Sequence, residues 1–351
     1  MNSELPNKAL VTPLDWGLGH ATRCVPIIYQ LVKSGWEVQV ASSGGALVLL
    51  RKEFSSLKFH ELASYNAHYS SWLPLRLKIV FQFFKFYRAI QKEHDQIKNI
   101  VKQEKINCII SDNRYGCWSS QVKSVFIGHI LNLDTPFFFK WVNAYHRELI
   151  NRFSVCWIPD EESGESLSGK LSEYKPINAR YIGLLSRMKW RPAKVKYDVM
   201  AILSGPEPQR SIFEILLRKE LRKCGKKSLL VKGIPQQATN IQTDNLTEVD
   251  FMNSDELNQA ILESEVIVCR SGYSSVMDLA VLGKKAIFVA TPGQPEQEYL
   301  ADELKNKRIA YSVSQKKFNL QQALNESANF TGFTQRINSD RLACAINDLI
   351  K

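Results

Sequence analysis

The sequence predicts an α/β protein with two Rossmann-like domains that face each other across a cleft. A strand, a glycine-punctuated turn and an amphipathic helix follow one another twice, first around Gly17 and again around Gly205. Each occurrence is typical of the opening of a nucleotide-type fold. The chain of 351 residues also has material for two cores rather than one.

The first occurrence predicts a βαβ unit. Ala9 to Pro13 form a short apolar strand, Asp15 to His20 form the glycine-containing loop, and Ala21 to Ser34 have helical periodicity. Gly35 ends the helix, and Trp36 to Ser42 alternate as the next strand.

Two further buried strands are predicted in the first half, at Cys108 to Asp112 and at Ser124 to Gly128. Each ends in polar side chains, among them Asp112 and His129. Ligands bind at the carboxyl ends of parallel strands, so these ends are where we expect the chemistry.

The second occurrence opens the second half. Tyr197 to Leu203 form a strand that runs into the turn at Gly205, a helix extends to about Lys223, and Ser228 to Lys232 form the next strand.

These patterns predict the domain boundaries. Residues 1–185 form the N-terminal domain, 186–196 a linker, and 197–335 the C-terminal domain, and residues 336–351 form a helix that packs back on the N-terminal domain. The linker is inferred from a local shift to basic residues, tryptophan and proline.

A phosphate site is predicted after the strand Glu265 to Cys269. The chain passes there into a small, hydroxyl-rich turn with Ser271 as the expected N-cap of a helix. Free amide groups and the positive end of the helix dipole favour a phosphate at that point. Asp278, about two turns into the helix, suits paired hydroxyl groups such as those of a ribose.

Two regions of the chain, one in each half, resemble glycosyltransferase family 28, the family of the peptidoglycan N-acetylglucosaminyltransferase, whereas the turn at Gly205 departs from the Gly-Gly-Ser-rich turn of that family. The resemblance lies in Val266 to Gly272 with the downstream Pro292 to Gln294 and Gln297 to Tyr299, and in the opening loop Gly17 to His20. It implies the GT-B architecture, with a nucleotide-sugar donor held by the C-terminal domain and an acceptor entering from the N-terminal domain.

The resemblance implies roles for individual donor-site residues. Ser271, Gly272, Tyr273 and Ser274 hold the diphosphate, Asp278 binds the ribose where the family usually has Glu, Phe251 and Met252 bracket the base, and Gln294, Gln297 and Glu298 contact the sugar. Arg270 belongs to the same motif, Gly205 to the first turn of the domain, and Arg210 is expected to help neutralise the departing diphosphate.

The expected reaction is an inverting displacement without a cofactor. The resemblance implies a GT-B active site without a bound metal, and the chain contains no Asp-x-Asp. Gly17 and Gly19 form the acceptor loop, and His20 is the leading candidate for the general base. In the alternative interpretation His20 only hydrogen-bonds a nearby carbonyl. Asp112 and His129 are rival bases, and Asp15 is a third.

Residues 65–105 contain eight aromatic residues and eight Lys or Arg against three acidic residues. A helix of this composition favours a lipid-linked acceptor and contact with an anionic membrane surface. The alternative is a helix packed between the sheet and another element. Such patches also bind single-stranded nucleic acid, but no recognised module accompanies this one, so nucleic acid is not expected as a partner.

Composition narrows the class of protein. The formal net charge of +11 is spread over both halves, which fits an anionic ligand or membrane surface. Seven cysteines without Cys-x-x-Cys argue against a disulfide framework and a zinc site. The sequence shows neither a signal-peptide pattern nor an apolar run of the ~18 residues that a transmembrane helix needs. We therefore expect a cytoplasmic protein, peripheral on the inner face of the membrane.

Two alternatives to a glycosyltransferase remain at this point. A non-hydrolysing sugar-nucleotide epimerase shares the two-domain fold. A non-catalytic nucleotide-binding scaffold would keep the donor half and lose the base.

Overall fold

The structure is a computed structural model that describes residues 6–65, 75–131, 140–162, 166–173, 176, 178–234, 240–334 and 340–350, with the side chains of 75–84 and 140 left aside. The chain forms two compact units. Unit 1 contains residues 1–185 and 339–351, and unit 2 contains residues 186–338.

Unit 1 is a parallel sheet with helices. Its strands are β1 (Lys8–Pro13), β2 (Glu37–Ser42), β3 (Lys58–Glu61), β4 (Cys108–Asp112), β5 (Lys123–Ile127), β6 (Val155–Ile158) and β7 (Ala179–Tyr181), in the order β3-β2-β1-β4-β5-β6-β7. Its first helices are α1 (Gly19–Lys33), α2 (Gly44–Glu53), α3 (Leu75–Glu104) and α4 (Lys140–Asn151). All of the strand pairs are parallel.

Apolar side chains explain why β1 and β4 lie at the centre of unit 1. Leu10 and Val11 on β1 and Ile109 and Ile110 on β4 are fully buried, as near-continuous apolar strands of a doubly covered sheet should be. Val11 pairs with Ile110, which fixes the register between the two strands.

Unit 2 repeats the architecture. Its strands are β8 (Tyr197–Ile202), β9 (Ser228–Val231), β10 (Asn240–Gln242), β11 (Leu246–Val249), β12 (Ser264–Cys269), β13 (Lys285–Phe288) and β14 (Tyr311–Ser312), in the order β10-β11-β9-β8-β12-β13-β14. Its helices are α5 (Gln209–Lys223), α6 (Ser254–Leu262), α7 (Tyr273–Leu282), α8 (Pro295–Asn306) and α9 (Leu320–Ser327). Only β10 is antiparallel to its neighbour among these described strands.

Local signals set the ends of helix α7. The helix begins after Gly272 and ends at Gly283, whose φ of +63° is a left-handed conformation that favours glycine. Val276, Met277 and Ala280 on its inner face are buried. The short helix is therefore held by burial and by its glycine ends.

The segment 186–196, interpreted from the sequence as a linker, belongs to unit 2. The Lys189 amide donates to Asn258 Oδ1 at 2.9 Å, and Asn258 Nδ2 donates to the Lys189 carbonyl at 3.0 Å. These bonds attach the segment to α6.

The C-terminal helix α10 (Arg341–Asn347) belongs to unit 1. Arg180 forms an ion pair with Asp348 at 2.5 Å, and Arg341 forms one with Glu161 at 2.5 Å. Ile346 is fully buried.

All seven cysteines are free thiols. Within the described ranges, no helix combines the length and the apolar character needed to cross a membrane.

Candidate functional site

The first candidate site lies at the carboxyl ends of β1 and β4. These neighbours are the switch point of the sheet of unit 1, because β2 and β3 lie on one side and β5 to β7 on the other. Ligands of open parallel sheets bind at such a point. His20 in the first turn of α1 and Asp112 at the end of β4 meet there, with His20 Nδ1 3.1 Å from Asp112 Oδ1.

Glycine shapes the loop that delivers His20. Gly17 has a φ of +80°, which L side chains rarely adopt, and its amide donates to the Asp15 carbonyl at 3.1 Å. Gly19 is the first residue of α1. The predicted acceptor loop is therefore a tight turn that ends at the start of a helix.

Arg23 joins this site, although the sequence interpretation did not include it. Its Nε donates to Asp112 Oδ2 at 2.5 Å, and a terminal nitrogen donates to Asp112 Oδ1. Another terminal nitrogen lies 3.2 Å from His129 Nδ1. The spacing of the two residues could have indicated Arg23 from the sequence, because residues three apart, such as His20 and Arg23, share one face of a helix.

The ion pair with Arg23 decides the role of Asp112. Burial alone would raise the pKa of this fully buried carboxyl, but Arg23 and His20 hold the pKa of Asp112 well below its usual range. An ionised carboxylate that accepts two guanidinium bonds is a poor proton acceptor. Asp112 is therefore better placed to orient His20 than to act as the general base.

His129 is also placed differently from the expectation. Its residue is 3% exposed, and its Nδ1 faces Arg23. Asp15, the other rival, accepts the hydroxyl groups of Ser43 at 2.8 Å and Ser64 at 2.6 Å and is buried. Both side chains are engaged by polar neighbours, which counts against either of them as the general base.

His20 keeps 19% of its side chain exposed. Its Nδ1 also lies 2.8 Å from a terminal nitrogen of Arg23. A neutral imidazole carries one proton. On Nδ1 that proton is donated to Asp112 and Nε2 keeps the lone pair of a base, whereas on Nε2 it leaves Nδ1 to accept from Arg23, which can only donate. Contact with a carboxylate favours the functional interpretation of His20 over the alternative one.

The predicted membrane segment 65–105 is only partly described. Residues 66–74 lie outside the described residues, and the side chains of 75–84 do too. The rings of Tyr65 and Phe86 stack with centroids 5.2 Å apart.

The described end of α3 packs inward. Ile97 is fully buried in a cluster with Leu10 of β1 and Ile109 of β4, and Arg114 donates to Glu93 at 2.6 Å. This part of the helix fits the alternative of a packed helix.

The second candidate site lies at the switch point of unit 2, between β8 and β12. Strands β9 to β11 lie on one side, and β13 and β14 lie on the other. Gly205 follows β8 with a φ of +102°, and Gly272 follows β12 as the N-cap of α7. The two predicted glycine turns therefore lie at the carboxyl ends of adjacent strands, and the first amides of α7 are presented there.

Ser271 is not the N-cap that the sequence predicts. Its residue is fully buried, and its hydroxyl donates to the Gln297 carbonyl at 2.6 Å. The helix starts one residue later because Gly272 takes the extended N-cap conformation. Tyr273 is also buried, whereas Ser274 is half-buried. A phosphate at this turn would thus be held by backbone amides, with Ser271 bracing the turn against α8.

Arg270 is turned into unit 2. Its residue is 1% exposed, its guanidinium donates to the carbonyls of Val289 and Ala290 at 3.0 Å each, and it stacks 3.9 Å from the ring centroid of Phe213. Burial lowers the pKa of Arg270 to about 10, which leaves it charged at neutral pH. These contacts join the loops after β12 and β13, and they count against the expected contact of Arg270 with the donor.

Arg210 is held by acidic neighbours. Its Nε donates to Glu207 at 2.7 Å and a terminal nitrogen donates to Glu214 at 2.9 Å. Arg210 is therefore already paired with two carboxylates, which counts against its expected role in neutralising the departing diphosphate.

Asp278 lies on the second turn of α7 and is half-buried. Burial raises the pKa of its carboxyl to about 6, while a hydrogen bond from Ser186 acts in the opposite direction. The structure thus gives the predicted ribose ligand an environment that titrates near neutral pH.

The predicted sugar-reading residues lie together around the start of α8. Gln297 Nε2 donates to Gln294 Oε1 at 2.9 Å, and Gln297 Oε1 accepts the Thr291 amide at 2.8 Å. Glu298 accepts the Gly293 amide at 3.0 Å. These contacts shape the loop after β13, next to the strand that carries Gly272.

Phe251 and Met252, the predicted base-bracketing residues, are half-buried and follow β11. They precede a capping box, in which Asn253 accepts the Glu256 amide at 2.9 Å and the Glu256 carboxylate accepts the Asn253 amide at 2.9 Å.

Comparison with known proteins agrees with this arrangement. Residues 210–341 match the model of the glycosyltransferase family 28 C-terminal domain. A UDP-N-acetylglucosamine–N-acetylmuramyl-(pentapeptide) pyrophosphoryl-undecaprenol N-acetylglucosamine transferase of Haemophilus ducreyi is 22% identical over 323 residues, which cover 88% of this chain and 85% of the relative. The enzyme of the same name from Pasteurella multocida is 20% identical over 85% of this chain and 81% of its own length.

Solved structures share the fold. MurG of Acinetobacter baumannii superposes with a TM-score of 0.61 at 14% identity, over 99% of both chains. A calicheamicin glycosyltransferase superposes with a TM-score of 0.64 at 9% identity, over 98% of this chain and 94% of its own. Both match nearly the whole chain, so the similarity extends over both units.

Proposed function

Since this chain is a family 28-like glycosyltransferase with the GT-B fold, we propose that it transfers a hexosyl or N-acetylhexosaminyl group from a UDP-sugar to a hydroxyl of a lipid-linked, cell-envelope acceptor. The observation that carries the proposal is the meeting of two glycine turns, at Gly205 and Gly272, at the switch point of unit 2. The names of the relatives support the donor and the acceptor.

The donor is held by unit 2. The amides at the start of α7 bind the diphosphate, because the first amides of a helix lack intrahelical partners and the helix dipole favours an anion there. Asp278 accepts the ribose hydroxyl groups, the main chain at Phe251 and Met252 reads the base, and Gln294 with its neighbours reads the sugar.

The acceptor is activated in unit 1. His20 Nε2 takes the acceptor proton while the acceptor oxygen bonds to the anomeric carbon and the bond to the diphosphate breaks on the opposite face. Asp112 stabilises the imidazolium that forms, because it stays ionised beside Arg23. In this proposal the reaction inverts the anomeric centre, and the amides and dipole of α7 balance the leaving charge without a metal.

A lipid-linked acceptor implies work at a membrane surface. The charge of +11 favours an anionic surface, and Lys85, Tyr87 and Arg88 on α3 are exposed. We place the protein at the inner face of the membrane as a peripheral enzyme.

Transfer is preferred to the two alternatives. The named relatives are transferases rather than epimerases. A scaffold that had lost its base has no use for a partly exposed histidine held by a buried carboxylate.

Donor binding and transfer can be tested separately. We expect UDP and a UDP-sugar to raise the melting temperature of the wild type by several degrees, because a ligand at 100 times its Kd adds about 2.7 kcal/mol. Asp278→Ala should lose this stabilisation, and Glu265→Ala, at an exposed position on β12, should keep it. His20→Ala should bind UDP normally and transfer sugar about 100-fold to 10,000-fold more slowly.

The outcomes are distinct. No stabilisation of the wild type by any nucleoside diphosphate would refute the donor site. Nucleotide binding with undiminished transfer by His20→Ala would leave the donor site intact and refute the base.

A further inference from the structure

Ser186 is the first residue of unit 2. It contacts Asp278, the residue predicted to bind the ribose, which lies 92 positions later in the sequence. Its Oγ lies 2.5 Å from Asp278 Oδ1. The Met188 amide donates to the same Oγ at 3.0 Å. A hydroxyl has one proton, and an amide can only donate, so the hydroxyl proton of Ser186 is directed at the carboxylate.

The surroundings of Ser186 hold this arrangement in place. Ser186 is 4% exposed, and the chain that follows is attached to α6 through Lys189 and Asn258. The hydroxyl therefore has little freedom to rotate or to exchange its partner for water, and it fixes the orientation of the carboxylate.

Among the described residues, the charged and titratable groups that interact with Asp278 are Arg187 and Cys269. A terminal nitrogen of Arg187 donates to Ser254 Oγ at 2.8 Å, so this cation is held toward α6. Burial raises the pKa of the Cys269 thiol to about 12, so it is neutral in the physiological range. The direct hydrogen bond to the carboxylate comes from Ser186.

We propose that Ser186 is a positioning residue for donor binding: its hydroxyl orients the Asp278 carboxylate and keeps it ionised at neutral pH, ready to accept two hydrogen bonds from a ribose. The proposal rests on the proposed function of the donor site. Its chemical basis is that an ionised carboxylate only accepts hydrogen bonds, whereas a protonated one presents a donor to one of the hydroxyl groups.

The proposal makes nucleotide affinity depend on pH. A hydrogen bond to the charged form of an acid lowers its pKa, so removing the Ser186 hydroxyl should move the titration of Asp278 upward. Burial already raises the pKa of Asp278 to about 6. A further rise in this pKa would therefore bring the titration of the carboxyl close to neutral pH.

The test compares Ser186→Ala with Ser186→Thr, which keeps a hydroxyl. We expect the affinity of the wild type for UDP, measured by calorimetry from pH 5 to 8, to rise with a midpoint near pH 6. In Ser186→Ala the midpoint should lie about one pH unit higher, which lowers affinity about fivefold at pH 6 and about twofold at pH 7. Ser186→Thr should follow the wild type.

A second measurement does not need a ligand. The carboxyl carbon of Asp278, assigned in NMR spectra by comparison with Asp278→Asn, should titrate at higher pH in Ser186→Ala than in the wild type. Identical midpoints in both experiments, in a variant whose circular dichroism is unchanged, would overturn the proposal. If UDP binds neither protein, the proposed function fails, and the NMR titration still decides whether Ser186 controls Asp278.

Discussion

At the scale of single residues, two carboxylates with opposite surroundings define the candidate sites. Asp112 is fully buried against Arg23, whose charge keeps the pKa of that carboxyl low and the group ionised. Asp278 has a hydroxyl as its bonding partner instead of a cation, and burial raises its pKa to about 6. The first arrangement suits a fixed charge beside a histidine, and the second suits an acceptor that waits for ligand hydroxyl groups.

The raised pKa of Asp278 predicts a cost to stability. The folded state binds the carboxyl proton more tightly than the unfolded state, so stability is greatest below about pH 4 and falls as the pH rises through about 6. A shift of roughly two units corresponds to about 2 to 3 kcal/mol. Asp278→Asn should therefore unfold in urea at a higher concentration than the wild type at pH 7.5 while losing affinity for UDP.

The control for this prediction is the pH itself. At about pH 3 the carboxyl of Asp278 is protonated in both the folded and the unfolded state, so the gain from Asp278→Asn should nearly vanish. An equal gain at both pH values would show that the substitution stabilises through packing, and no gain at pH 7.5 would contradict the unfavourable burial of the charge.

Sequence motifs predicted where the backbone turns better than the directions of the side chains at the candidate sites. Gly272 and the Gln294 to Glu298 group follow neighbouring strands, although the strand before Gln294 was not predicted. The rotamers of Arg270 and Ser271 depend on carbonyls after β13 and on α8, which are distant in sequence. The same holds for Arg23, whose partner Asp112 lies 89 positions away.

At the scale of elements, helix α6 controls the loop that is proposed to read the base. Its capping box joins Asn253 and Glu256 through two reciprocal bonds, which fixes where the helix starts. Because Phe251 and Met252 directly precede this cap, the direction of their main chain depends on it.

Removing the cap should therefore affect both stability and binding. Asn253→Ala leaves the Glu256 amide without its side-chain acceptor, which costs about 1 kcal/mol in urea unfolding, and it should weaken UDP binding by loosening Phe251 and Met252. Asn319→Ala is the matched control, because Asn319 caps α9 by accepting the Gln322 amide at 2.9 Å. The control should lose similar stability and bind UDP as the wild type does. Equal loss of affinity in both variants would mean that the cap of α6 has no special link to the donor.

The predicted strands lie within two residues of the observed ones. The predicted strand Cys108 to Asp112 is β4, and Ala9 to Pro13 is β1 without its first residue. Seven strands of two to four residues were not predicted: β3, β6, β7, β10, β11, β13 and β14. In β3 and β10, four and three residues of mixed polarity carry too little alternation. The expected start of α7 at Ser271 was wrong, since glycine rather than a hydroxyl residue takes the N-cap position.

At the scale of the whole molecule, the prediction of two Rossmann-like domains is confirmed by two parallel-dominated sheets of the same winding. A repeated strand, turn and helix pattern was sufficient for this, because each occurrence specifies one sheet with one switch point. The functional groups divide accordingly, with His20 in unit 1 and Asp278 in unit 2.

Deleting helix α10 should lower the stability of unit 1 without removing UDP binding by unit 2. Removing residues 340–351 deletes fully buried Ile346 and the ion pair of Asp348 with Arg180, so unit 1 should lose about 2 to 4 kcal/mol. Six of the seven tryptophans lie in residues 1–185, and Trp190 is the seventh, so tryptophan fluorescence in urea reports mainly on unit 1. That transition should move to lower urea, while UDP binding to unit 2 should persist.

Asp348→Ala is the control for the truncation. It removes only half-exposed ion-pair contacts, which are worth less than about 1 kcal/mol, and leaves Ile346 in place. A truncated chain with an unchanged fluorescence transition would mean that α10 adds nothing to unit 1. None of the residues of unit 2 that are proposed to hold the donor belongs to the deleted segment. Loss of UDP binding at urea concentrations where the truncated chain is still folded would therefore mean that unit 2 depends on the helix as well.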